Sequence, residues 1–353
     1  MNHLFTIPAK QMVRFLFLHL LLTGFLASLP VTAVAAVTLK IATVSPDGAT
    51  WMVKMREGAK QIKKRTEGRV RFKFYPGGVM GNDASVLRKI RIGQLHGGAV
   101  TGGSLSKIAP DTQLYQLPFL FNSQDEVDNV REKIDQQLIK KLDSKGFVTF
   151  GFAGGGFAYF MSNRSVSSVA DLQKQKVWLP IGDKVNHLVF DEAKISPIPL
   201  PISDVMTSLQ TGLIDTVAVS PVVAISLQWH TKIKYVMQAP ASYIYALLAV
   251  KKSAFDRIKP ADKAIVREVM AKIFKEIDSQ NRLSDIQAIE AMKQQGIQFV
   301  KIAETDLIEW KRIAAKARKQ IMNKGIYTKE LIETISNSLE KYRQQHQNKQ
   351  ASR

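Results

Sequence analysis

VTLKIATVSPDGATWMVKMREGAKQIKKRTEGRVRFKFYPGG, residues 37–78, decides the fold class. Residues 37–44 are rich in strand formers and end at Ser45-Pro46-Asp47-Gly48, a cluster of turn formers. From Thr50 to Thr66 the period changes: Met52, Met55, Ala59 and Ile62 are spaced for one helix face. Val70, Phe72 and Phe74 then alternate with Arg71, Lys73 and Tyr75, as on a half-buried strand, until Pro76-Gly77-Gly78 stops the run. A further helix over about Asp83–Ile92 and a short strand over Gly97–Val100 repeat the alternation. Strand and helix in turn make an α/β lobe with a largely parallel sheet the economical choice. Ligands in such lobes sit beyond the carboxyl ends of strands, so the turns at 45–49 and 101–104 are candidate pocket walls. They bring Asp47, Trp51 and Ser104 into consideration.

Downstream, a helix near Asp125–Ser144 leads to FVTFGFAGGGFAYFMS, residues 147–162. Its three glycines lack the Gly-x-Gly-x-x-Gly spacing of a dinucleotide fingerprint, and they suit a hinge or crossing point. A second α/β unit follows: a strand at 177–180, a helix near Asp183–Ala193, a strand over Ser196–Leu200, a helix over Asp204–Gln210 and a strand around Asp215–Val219. Asp204 is expected to cap its helix. IYALLAV, residues 244–250, is a strand able to return the chain to the first lobe. Pro260 opens a long helix whose apolar stripe runs through Ile265, Val269, Ile273 and Ile277 and on to Leu283, Ile286 and Ile289. The expected division is residues 36–155 with about 244–285 in the first lobe. Residues 156–243 with about 286–345, including the C-terminal helices, form the second. Residues 346–353 are expected as a flexible basic tail.

The N-terminus reads as an export signal. Lys10 and Arg14 precede the apolar run FLFLHLLLTGFLASLP, and VTAVAA supplies the small-residue cleavage site, with Ala33-Val34-Ala35 placing the new terminus near Ala36. The run is marginal for spanning a bilayer. Removing residues 1–35 leaves 318 residues, enough for two lobes. No cysteine is present, so disulfides, thiolate catalysis, Cys-based metal sites and a lipoprotein anchor are excluded. The net charge of +20 is dispersed along amphipathic segments such as QIKKRTEGRVRFKF, which argues for a solvated basic surface over a nucleic-acid site.

Catalytic signals are thin. The histidines at 3, 19, 96, 187, 230 and 346 have no metal-ligand spacing, and there is no His-Glu-x-x-His, phosphate-binding loop or Gly-x-Ser-x-Gly motif. No enzyme activity, metal or cofactor is expected. What remains is a cleft with aromatic residues near turns: Trp51, Phe119, Phe157, Tyr159, Trp178, Tyr243 and Tyr245. Trp178, at the end of a short strand before Leu179-Pro180, is the leading ligand contact, and Asn186 joins the candidates from the helix that follows. Trp229 reads as a packing residue.

Six segments in order carry a family resemblance: ATVSPDGATWMVKMREGAKQIKKRTEGRVRFKFYPGGVMGND, IRIGQLHGGAV, LYQLPFLF, SNRSVSSVADLQKQKVWLP, ISPIPLPISDVMTSLQTGLIDTVAVSP and LLAVKKSAFDRIKP. Together they resemble DctP-type solute receptors of the tripartite ATP-independent periplasmic (TRAP) transporters, over about residues 38–335. The resemblance implies a two-lobed periplasmic solute-binding-protein fold, with crossing strands and a long bracing helix. It implies a monomer that captures a small organic solute and delivers it to a membrane permease driven by an ion gradient. A solute-sensing receptor for a membrane signalling protein and an exported α/β enzyme are the alternatives. Family members that bind organic acids commonly carry an arginine where Trp178 stands here, within Lys176-Val177-Trp178-Leu179-Pro180, and a second at the position of Ala158. An arginine fork is the natural clamp for a carboxylate, whereas tryptophan stacks on apolar, sugar-like or cationic solutes. Lys184 and Arg164 remain as cations near those positions. Ser220 corresponds to the family's polar residue before the proline at 221.

Overall fold

The computed structural model describes residues 36–351. The expected signal, residues 1–35, lies outside the described residues, as do residues 352–353 of the expected tail.

The opening stretch folds as its periodicities require. β1 (Val37–Thr43) lies between β2 (Val70–Tyr75) and β3 (Gly97–Thr101), parallel to both. The connections are α1 (Thr50–Arg65) and α2 (Asp83–Arg91), the latter capped by Asn82, whose Oδ1 accepts from Ser85 N at 3.0 Å. Met52, Met55 and Ile62 are buried. Gly58 lies between them, and a Cβ there would come within 2.9 Å of Ile273 on the long helix, so the glycine sets how closely the two helices approach.

The chain next forms α3 (Gln124–Ser144), the short β4 (Phe147–Val148) and the eleven-residue β5 (Phe152–Ser162). β5 runs through the glycine cluster without a break. The second lobe adds α4 (Val169–Leu172), β6 (Trp178–Pro180), α5 (Lys184–Glu192), β7 (Ile198–Leu200), α6 (Val205–Thr211), β8 (Thr216–Val219), α7 (Pro221–Ser226) and β9 (Tyr235–Met237). β10 (Ser242–Lys251) returns the chain to β3, pairing antiparallel with it over Ala246–Val250. After α8 (Lys252–Phe255) come α9 (Pro260–Gln294), β11 (Gln298–Val300), α10 (Glu304–Asn323) and α11 (Lys329–Ala351).

One sheet crosses both lobes, in the order β11-β9-β5-β10-β3-β1-β2, with β4 on β10 and β8 on β5; β6 and β7 form a separate parallel pair. The two long strands do the crossing. β5 pairs with β10 through Phe152–Ala158 and with β8 through Tyr159–Ser162. Apolar cores flank the sheet in each lobe. α9, 35 residues and about 50 Å long at 1.5 Å per residue, packs on α1, β5 and α7 and so braces both.

Four expectations change. Ile273 and Ile277 are buried, but Leu283 and Ile286 are 56% and 62% exposed. Beyond Ile277 the inward face of α9 passes to Asp278, Asn281, Arg282 and Asp285, which hydrogen-bond β5 and α7 and form ion pairs with Arg131 and Asp128 on α3. Asp204 does occupy the position before α6, yet it makes no capping hydrogen bond; its Oδ1 accepts from Ser203 Oγ instead. Residues 346–351, expected as tail, continue α11, where His346 stacks on Tyr342 and Gln344 donates to Glu340 one turn away. That helix packs on α3 of the first lobe, where Arg343 pairs with Glu126 at 2.7 Å, although it was expected with the second.

Candidate functional site

A cavity of about 1320 Å³ opens between the lobes. Its walls come from the turns after β1 and β3, from α2, from β6 and the start of α5, and from the crossing strands. Of the candidates, Trp51, Ser104, Phe119, Ala158, Trp178, Asn186 and Tyr245 line it. Phe157, Tyr159, Ser220 and Asp47 are not among its wall residues.

The split within β5 has a local cause. Opposite Gly155 the register slips: Ile244 pairs with Gly156 and Tyr245 with Gly154, leaving Gly155 as the extra residue of a bulge. Ala153 lines the cavity before the bulge, Gly155 at it, and Ala158 and Phe160 after it. The bulge therefore changes the parity of the strand. Phe157 is turned into the first-lobe core, edge-on to Tyr243 at 5.4 Å, and Tyr159 packs into the second-lobe core. Ser220 is fully buried before α7, and Asp47 is an exposed partner of Arg56 at 2.6 Å.

The aromatic wall is fixed by neighbours. Trp178 is only 4% exposed; its Nε1 donates to Leu200 O at 3.0 Å, and its ring meets Trp229 edge-on at 5.3 Å. Phe119 has a left-handed φ of +48°, costly for an aromatic residue, and is held there by stacking on Trp310 and by its N–H donating to Ala241 O at 2.7 Å. Trp51 packs edge-on against Phe274. The Tyr245 hydroxyl donates to Thr112 O, and burial pushes its pKa far up, so it stays a neutral donor.

Two carboxylates missed in the sequence also line the cavity, one on each lobe. Asp83 Oδ2 accepts from Ser104 Oγ at 2.6 Å and from Thr101 N at 3.1 Å. Asp183 precedes α5; its Oδ1 accepts from Asn186 N at 3.0 Å and its Oδ2 from Asn186 Nδ2 at 2.7 Å. Burial raises both pKa values, against these hydrogen bonds. The signal for them was their place at the starts of the helices expected over about Asp83–Ile92 and Asp183–Ala193. Lys184 and Arg164 are exposed and do not line the cavity.

Behind the bulge, α9 is fastened to β5. Asp278 Oδ1 accepts from Gly154 N at 2.7 Å and from Arg131 Nη1 at 2.8 Å, while Asn281 Nδ2 donates to Gly154 O at 2.8 Å. Arg131 Nη2 reaches Phe152 O, also at 2.8 Å. The crossing point is thus held by polar groups on α3 and α9.

A family model for bacterial extracellular solute-binding proteins, family 7 (DctP), matches residues 41–325. The chain belongs to the DctP family. It is 26% identical over 234 residues to a solute-binding protein of Verminephrobacter eiseniae, covering 66% of this chain and 70% of that one. Among solved structures, a TRAP periplasmic solute binding protein from Desulfovibrio salexigens with bound orotic acid superposes with a TM-score of 0.79 at 20% identity, covering 86% of this chain and 99% of that one. The sugar acid binding protein DctPAm from Advenella mimigardefordensis, in complex with galactonate, gives 0.80 at 18% identity, covering 87% and 99%. As a DctP-family protein the chain is a periplasmic solute receptor feeding a TRAP permease, and it is not an enzyme. Among the described residues no group of three or more His, Asp or Glu is placed to hold a metal ion, and no helix is long and apolar enough to cross a membrane.

Proposed function

We propose that the interlobe cavity is the solute-binding cleft and that the lobes close over one small organic solute before it passes to an ion-gradient-driven permease. The carrying observation is that the cavity walls belong to both lobes, with β5 and β10 crossing between them. Solute contacts distributed over both walls are stronger when the walls approach, so binding shifts the equilibrium toward the closed form. Trp178, Phe119, Trp51 and Tyr245 supply the apolar and aromatic surface; Ser104 and Asn186 supply hydrogen-bonding groups. The mature receptor begins near Ala36 after signal cleavage and acts as a monomer.

The two solved relatives hold orotic acid and galactonate, so small organic solutes are the class to try. The test combines mass spectrometry of molecules released on denaturing the mature protein with small-angle scattering before and after solute addition. A stoichiometric released solute that also reduces the radius of gyration supports the reading. A retained solute with no change in dimensions refutes closure.

A further inference from the structure

Six basic side chains and three carboxylates line the cavity, yet none of the six basic groups is buried. Among the described residues, the basic side chains on its wall all belong to first-lobe segments. Arg88, Arg91, Lys107 and Lys145 are exposed, Lys251 Nζ donates to Arg91 O at 3.1 Å, and Lys252 pairs with Asp143. None of them is a buried cation beside Trp178, Phe119 and Ala158. Of the carboxylates on the wall, Asp256 pairs with Lys263 at 2.9 Å, whereas Asp83 and Asp183 line opposite lobes and form no ion pair among the described residues. Asp83 Oδ2 is held by Thr101 and Ser104, and Oδ1 receives no hydrogen bond among the described residues.

Resting on the receptor reading above, we propose that the cleft takes an organic cation, an apolar or aromatic body bearing a protonated amine, with Asp83 as its counter-charge. A carboxylate entering this cleft would be stripped of water beside two acidic groups with no buried cation to meet it, which is strongly unfavourable. An ammonium gains from the same two groups. The faces of Trp178 and Phe119 then serve the apolar body and, at close approach, the cation itself. Burial raises the pKa of both acids, as expected where no cation sits beside them, and a bound ammonium would draw each back toward the ionised form.

The test has two arms, both on the mature protein. In the first, calorimetry compares tryptamine with indole-3-propionate, which share a ring system and differ in charge. In the second, the protein is incubated with a metabolite extract, washed and denatured, and the retained solute is identified by mass spectrometry. Tryptamine is expected to bind about tenfold or more tightly than indole-3-propionate, and Asp83→Asn to weaken its binding by a similar factor. If neither probe binds, the extract decides, and a retained amine without a carboxylate is the expected result. Equal or reversed preference for the probes, or a retained carboxylate or uncharged solute, overturns the cation assignment while leaving the receptor reading in place. No retained solute and no probe binding overturns the assignment of this cavity as the solute cleft.

Discussion

Asp285 sits on the inner face of α9, where its Oδ1 accepts from Val222 N at 3.2 Å and burial pushes its pKa up to about 6. A carboxyl with an ordinary value of 3.8 in the unfolded chain therefore holds its proton more tightly in the fold. Below both values the group is neutral in either state. As pH rises from about 4 to 6 the unfolded chain releases the proton first, so stability falls across that window, by on the order of 2 kcal/mol. Asp285→Asn is expected to flatten this loss and to be the more stable form at pH 7.5. Urea unfolding of both proteins at pH 4 and pH 7.5 checks it. Trp178 offers a second residue-level test. Trp178→Phe keeps an aromatic wall but strands Leu200 O, which should cost about 1 kcal/mol of stability, read by the same unfolding experiment. Trp178→Ala should weaken solute binding by about 1 kcal/mol or more, measured by calorimetry on the folded variant. That Trp178 faces a pocket was legible from its place before Leu179-Pro180; that its indole N–H is committed to the neighbouring strand was not, because that partner is set by the β6–β7 pairing.

At the scale of elements, the β5 bulge and the helix behind it act together. Gly156 has φ +83°, and a Cβ there would lie 2.8 Å from Asp285 Oδ2. Gly156→Ala must strain the backbone or displace α9, so a loss of about 1–3 kcal/mol is expected in chemical denaturation. Asp278→Ala removes the acceptor shared by Gly154 N and Arg131, leaving a half-buried guanidinium without its partner on α9. The expected cost is about 3–5 kcal/mol, with faster hydrogen exchange along β5 as the local signature. The glycine cluster itself announced a crossing point. Its phase did not: strict alternation through Phe157 and Tyr159 puts those rings on the wall, and although the family resemblance pointed to Ala158, only pairing with β10 shows the extra residue that brings Ala158 and Phe160 to the wall instead.

For the whole molecule, a solute that binds the closed form must also stabilise the fold. At a concentration of a hundred times Kd the gain is about 2.7 kcal/mol, visible as a rise in the thermal midpoint of the mature protein. A solute that lowers the radius of gyration without raising the midpoint would contradict coupled binding and closure. The sequence by itself determined the α/β alternation and the long helix, since periods of two and 3.6 are written in neighbouring residues and need no distant partner, while the crossing of the strands and the bracing by that helix came with the family resemblance. It also carried the family, through six ordered segments matched by residues 41–325. Only the tertiary structure decided which face of β5 meets the cleft, that Asp83 and Asp183 look into it from opposite lobes, and that α11 returns to α3. Each of these depends on a register or a contact between residues far apart in the chain. Local pattern fixes which side chains share a face, while the partner that face meets is chosen by the packing of the whole molecule.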